Sequence, residues 1–179
     1  MNEKLEAKIR RLEEKIYSAH RFNQPLFEKL NAAQYELGIL DDGRPFCPFL
    51  RPHFFSRERY EKITRAAEIL VEAFERMTQA ALENKEILSE LDLSEAEERM
   101  ARINPGYPGV SNSSRLDSFL SGEDFKFLEY NAETPAGISD QMQIEKVLEM
   151  IPEVREFLNE NRHWRPKPHQ KLLETLVKS

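Results

Sequence analysis

Arg115 and Asp117 stand two residues apart, Glu129 and Asn131 also stand two apart, and the turn signal Ser121-Gly122-Glu123-Asp124 lies between the pairs. An arginine, two carboxylates and an amide at strand spacing around one turn are the parts of a site for magnesium and phosphate. Magnesium takes hard oxygen ligands in near-octahedral geometry, commonly one or two carboxylates with waters and phosphate oxygens, and an asparagine carbonyl can complete the set. Asp117, Glu129 and Asn131 are the candidate metal ligands. Two carboxylates face to face repel unless a cation lies between them or one takes up a proton, and Arg115 can neutralise one of them only. Its planar fork of donors suits a phosphate or acyl-phosphate oxygen better than a lysine would, which makes Arg115 the candidate catalytic residue. The competing reading is a surface hairpin with a cross-strand ion pair.

Whether these side chains meet depends on the elements that carry them. Ser114 to Leu120 is short and alternating and Phe125 to Tyr130 is rich in aromatics, so the stretch reads as a β-hairpin. Alternation puts Arg115 and Asp117 on one face of the first strand and Glu129 and Asn131 on one face of the second. A three-residue loop, 122–124, would set Asp117 opposite Glu129 and Arg115 opposite Asn131. A four-residue loop would send the two pairs to opposite faces.

Arg-x-Asp at 115–117, followed by Leu128-Glu-Tyr-Asn-Ala-Glu-Thr-Pro-Ala-Gly137, resembles the glutathionylspermidine synthetase family and related circularly permuted ATP-grasp proteins. The likeness covers roughly Ser113 to Asp140, and its specific phrase is Glu-Tyr-Asn-Ala-Glu-Thr-Pro; Glu133 departs from the aspartate usual in that family. The resemblance implies an ATP-dependent carboxylate-amine ligase in which Arg115 approaches the phosphates while Asp117, Glu129 and Asn131 hold Mg2+. ATP and Mg2+ would then be cofactors of the complete protein, with a small-molecule carboxylate and an amine as substrates. Such ligases also need a nucleotide-binding domain with a glycine-rich loop and phosphate-binding lysines, which nothing after Gly137 supplies. The resemblance therefore implies the N-terminal portion of a ligase, inactive alone.

Composition narrows the alternatives. A chain of 179 residues with 40% hydrophobic content can bury the core of one ordinary domain. A net charge of -6 offers no basic stripe for nucleic acid and disfavours anionic membranes. One cysteine excludes an internal disulfide, and the first residues hold no signal region or membrane span, so a cytoplasmic location is expected. That cysteine, Cys47, sits in the rigid apolar phrase Pro45-Phe-Cys-Pro-Phe49 and reads as a buried structural thiol.

The remaining chain is read as mostly helical. Leu5, Ile9, Leu12 and Ile16 alternate spacings of four and three, giving an amphipathic helix over 2–20 that packs on its own domain and leaves room for a homodimer through its narrow stripe. Pro25 starts a second helix that Gly38 ends, and Asp41-Asp42-Gly43 forms a turn. Residues 45–55 make an apolar irregular segment with Phe46, Phe49, Phe54 and Phe55 as core, and with Arg51 and His53 as weaker candidates for contact with substrate. A long helix follows Ser56, with Tyr60, Ile63, Ala67, Leu70, Phe74, Met77 and Ala81 as its core stripe. Ser94 and Glu97 form a capping box, 104–109 is a doubly broken loop, and Ser139 or Asp140 caps a helix through Met150. A short helix from Pro152 and an amphipathic one from Lys171 complete the reading. The expected fold is α+β, about six helices packed on a small, mainly antiparallel sheet containing the 114–131 hairpin. Residues 1–165 would be one domain and 166–179 the start of a connector helix toward a downstream domain. The alternative function is a noncatalytic helical interaction module that retains the hairpin as scaffolding.

Overall fold

The computed structural model describes residues 3–21, 23–48, 51–107, 109, 111–121, 124–132 and 136–178. Within them lie eight α-helices and two antiparallel hairpins. In chain order these are α1 (Glu3–His20), α2 (Gln24–Leu37), β1 (Leu40–Asp41), β2 (Arg44–Pro45), α3 (Arg57–Glu83), α4 (Lys85–Ser89), α5 (Glu95–Ala101), β3 (Arg115–Ser121), β4 (Asp124–Asn131), α6 (Ile138–Leu148), α7 (Pro152–Glu160) and α8 (Pro168–Lys178). The fold is α+β and mostly helical, as the sequence predicts. No helix among the described residues is long and apolar enough to cross a membrane. The chain divides into two compact units, residues 1–58 with 136–169 and residues 59–135 with 170–179.

In the first unit α1 packs on α7 and α2 on α6. The apolar stripe of α1 supplies Leu12 and Ile16, and they meet Leu30, Ile39, Val147, Ile151 and Val154 in one buried cluster. Complete burial of each such side chain stabilises the fold by roughly 1.5–3 kcal/mol. Gly38 ends α2 as expected, and its φ of 69° lets the chain reverse so that Gly38 N–H reaches the Tyr35 carbonyl and Ile39 N–H that of Gln34. Ile39 is thereby delivered to the core at 1% exposure. The expected turn closes the β1–β2 hairpin, with Asp42 and Gly43 both at positive φ.

The apolar segment after β2 departs from expectation. Phe54 packs against the core and lies 5.0 Å from the Phe157 ring, but Phe46 is 53% exposed and Phe55 stacks on His53 instead of entering the core. Phe49 falls outside the described residues. What anchors the segment is Gln34, itself 1% exposed, whose side-chain amide donates to the Cys47 carbonyl at 3.0 Å and accepts from the Cys47 N–H at 2.8 Å. One buried amide thus pairs both backbone groups of Cys47, as a neighbouring strand would.

The second unit holds most of α3 and the β3–β4 hairpin, and Phe74 of α3 stacks on Tyr130 of β4 with ring centroids 4.5 Å apart and 13° between planes. The stripe of α3 is less buried than its spacing suggests: Ala81 is buried, whereas Met77 is 65% exposed. Asn84 caps the short α4 by accepting from the Glu86 N–H, a helix that the sequence reading omits. The Ser94–Glu97 capping box forms as predicted. In the first unit, α6 begins at Ile138 after Gly137, which takes positive φ and offers no side-chain cap, so neither Ser139 nor Asp140 caps it.

Candidate functional site

The tip of the hairpin pairs Ser121 with Asp124, Leu120 with Phe125, Phe119 with Lys126 and Ser118 with Phe127. Only residues 122 and 123 separate the strands, so the connection is a two-residue loop, neither of the lengths weighed from the sequence. Continued without interruption, that register would set Asp117 opposite Leu128 and Arg115 opposite Tyr130, leaving Glu129 and Asn131 on the other face. It is interrupted between Asp117 and Ser118. Leu128 takes no partner there, a β-bulge that gives β4 one extra residue.

Beyond the bulge the pairs are Asp117 with Glu129, Leu116 with Tyr130 and Arg115 with Asn131. Directly opposed residues of an antiparallel pair share a face, as do residues two apart on one strand. The ladder therefore gathers Arg115, Asp117, Glu129 and Asn131 on one face, and Leu116 and Tyr130 on the other. The Phe74–Tyr130 stack identifies the second face as the one toward α3.

Arg115 Nε donates to Asp117 Oδ1 at 2.8 Å, and the two side chains are 37% and 42% exposed. At that exposure solvent screening holds the pair to about 0–1 kcal/mol, so it orients the side chains more than it stabilises the fold. The Glu129 side chain, exposed and opposite Asp117, makes no ion pair or hydrogen bond with the described residues. Asn131 Nδ2 is buried and has no hydrogen-bond partner among them. An unmet buried donor costs about 1–3 kcal/mol, which an acceptor oxygen brought by a ligand would recover. The described residues gather no set of three or more His, Cys, Asp or Glu side chains for a metal, so cation binding here would rest on two carboxylates and one amide oxygen.

Near the hairpin the structure uses two residues that the sequence reading passed over, Ser111 and Glu75. Ser111 Oγ lies 2.9 Å from the Ser113 carbonyl and 2.8 Å from that of Ala132, sharing its proton and tying the approach to β3 to the exit from β4. Gly109, at φ 91°, lies so close to Glu75 of α3 that a Cβ on it would stand 2.8 Å from Glu75 Oε1. A lone serine or a helical glutamate carries no periodic signal that would have singled it out. Residues 133–135 of the resembling phrase fall outside the described residues.

The weaker candidates belong to the first unit and have structural partners there. Arg51 Nε meets Glu13 Oε1 at 2.6 Å in an exposed pair, and His53 stacks on Phe55 at 4.7 Å. Cys47 is a half-buried thiol on the segment that Gln34 holds. Compared with known protein families, curated proteins and solved structures, the chain gives no match.

Proposed function

We propose that this chain is the N-terminal portion of an ATP-dependent carboxylate-amine ligase of the glutathionylspermidine synthetase type, and that its hairpin contributes a magnesium-phosphate site. The observation that carries the reading is the bulge at Leu128, because it turns the register so that Asp117 faces Glu129 and Arg115 faces Asn131. Like charges set opposite each other destabilise a sheet, so a bulge that creates such a pair is better explained by a cation than by packing. Asp117, Glu129 and the Asn131 carbonyl would hold Mg2+, while the unmet Asn131 amide hydrogen would reach a phosphate oxygen on the same ligand. Bound magnesium would neutralise and orient phosphate oxygens during phosphoryl transfer to the substrate carboxylate. Arg115 would swing from Asp117 to the charge that develops as the acyl phosphate forms and as the amine displaces it.

Manganese titration followed by electron paramagnetic resonance tests the site directly. Mn2+ should bind the chain weakly alone and more tightly with ADP, and Asp117→Asn and Glu129→Gln should each abolish the gain. Equal manganese binding in the wild type and both variants would remove the hairpin from consideration. The second reading, a noncatalytic interaction module, draws on α8, whose Leu173, Leu176 and Val177 are 64%, 55% and 78% exposed. It would gain from that same negative result.

A further inference from the structure

The end of α1 and the start of α2 share one asparagine, and its two ends are committed in opposite senses. Asn23 Oδ1 accepts the Leu26 N–H at 3.1 Å and so caps α2. The other end of the amide, Nδ2, is then directed to His20 Nδ1 at 3.0 Å. Because Nδ2 can only donate, His20 Nδ1 must be the bare, accepting nitrogen and the imidazole proton must sit on Nε2. That proton points at Glu153 Oε2 of α7, 2.8 Å away. The His20 and Glu153 side chains are only 12% and 19% exposed, so water cannot freely replace these partners.

We propose that the chain Leu26 N–H to Asn23 to His20 to Glu153 is an acid-sensitive latch in which protonation of His20 releases the cap of α2. A second proton on His20 would place Nδ1–H against the Asn23 amino group, donor against donor. The amide can relieve this by turning its oxygen to His20, which turns its nitrogen to the Leu26 N–H and destroys the cap. On the opposite side Nε2–H keeps its bond to Glu153 Oε2 whether or not Nδ1 carries a proton, so the cap is the contact that gives way. Other charged groups of the neighbouring elements have partners of their own. Lys15 of α1 is paired with Glu156 of α7 along the same seam, and Arg21 lies over the Tyr17 ring at 5.2 Å. From α2, Glu28 accepts from Gln24 at 2.9 Å. The backbone bonds Asn23 N–H to His20 O and Phe27 N–H to Asn23 O bypass the side chain, so the latch loosens one turn without unfolding the helix.

Nuclear magnetic resonance on the chain with labelled histidine tests both halves of the inference. At neutral pH the His20 nitrogen shifts should report the Nε2–H tautomer; a protonated Nδ1 in the neutral ring would overturn the assignment. As pH falls and the His20 ring signals titrate, hydrogen-exchange protection of the Leu26 amide should drop roughly fivefold with the same midpoint, the factor expected for one lost cap. In Asn23→Asp, one carboxylate oxygen can cap Leu26 while the other accepts the Nδ1 proton, so Leu26 protection should not change through the His20 titration. Leu26 protection that stays constant in the wild type, or that falls equally in Asn23→Asp, would show that the cap and the histidine charge are independent.

Discussion

Arg115 is the residue whose two roles can be separated by kinetics. Its guanidinium is held by Asp117 at 2.8 Å, close to the hairpin and free of deep burial, so removing it should leave the strands paired. In a form of the protein that also carries a nucleotide-binding domain, Arg115→Ala should lower kcat by about 10²–10³-fold with a smaller change in the KM for ATP, as expected for a charge that acts on the developing acyl phosphate. Asp117→Asn should follow it and raise the magnesium concentration needed for half-maximal rate. Initial-rate measurements at varied ATP and Mg2+ decide this, and an effect confined to KM would make Arg115 a binding group. Gln34 makes the contrasting case, a buried polar residue with a structural task. Gln34→Leu strands the Cys47 N–H and carbonyl and should cost about 2–3 kcal/mol in urea unfolding. Gln34→Glu should not rescue it, because a carboxylate can accept from the Cys47 N–H but cannot donate to its carbonyl.

Element by element, the legible features are those with strictly local causes. The Asp-Gly turn after β1, Pro25 and Gly38 around α2, and the Ser94–Glu97 box all lie where the residue types place them, since each is decided within a few residues. The hairpin was legible as a hairpin, and the four residues it gathers on one face could be named from it. The route to their register was not, because the loop closes one residue short of the expected length and Leu128 restores the pairing by going unpaired. Nothing in the types of Phe127, Leu128 and Glu129 marks a bulge, which here has no glycine to announce it. Cross-strand nuclear Overhauser contacts should therefore join Asp117 to Glu129 and Ser118 to Phe127 while passing over Leu128; contacts from Asp117 to Leu128 would dissolve the proposed site. The capping box predicts a pH effect of known sign. The Ser94 hydroxyl, with the Ser94 N–H adding to it, holds the Glu97 carboxyl below its ordinary value of 4.5. A lowered folded-state value stabilises above the unfolded value and loses that contribution as pH falls through the folded one. Melting curves below pH 4.5 should thus fall less steeply in Glu97→Gln than in the wild type.

For the whole molecule, each compact unit is assembled from segments that lie far apart in the sequence. The first unit closes only when 136–169 returns to 1–58, and the α1–α7 seam that joins them consists of side-chain pairs separated by well over a hundred positions, such as Lys15 with Glu156 and His20 with Glu153. The second unit keeps the hairpin together with α3 and the loop at Gly109, so every group in the proposed site belongs to one unit. That arrangement bears on activity. The hairpin gathers two carboxylates, an amide and one arginine, the groups that the proposed cation and phosphoryl contacts would use. Phosphoryl transfer also needs the attacking and leaving oxygens held in line, which in nucleotide-dependent enzymes falls to a backbone loop and a lysine cradling the nucleotide phosphates. The sequence has only 6 glycines and no cluster of them that would form such a loop. The 179-residue chain alone should accordingly release no phosphate from ATP above the buffer rate, with or without added carboxylate and amine, even where manganese binding to the hairpin is measurable. A coupled phosphate-release assay beside the manganese titration separates the outcomes. Binding without turnover fits a site that supplies one part of a larger catalytic apparatus, whereas turnover lost in Asp117→Asn would mean that these two units hold the nucleotide by themselves.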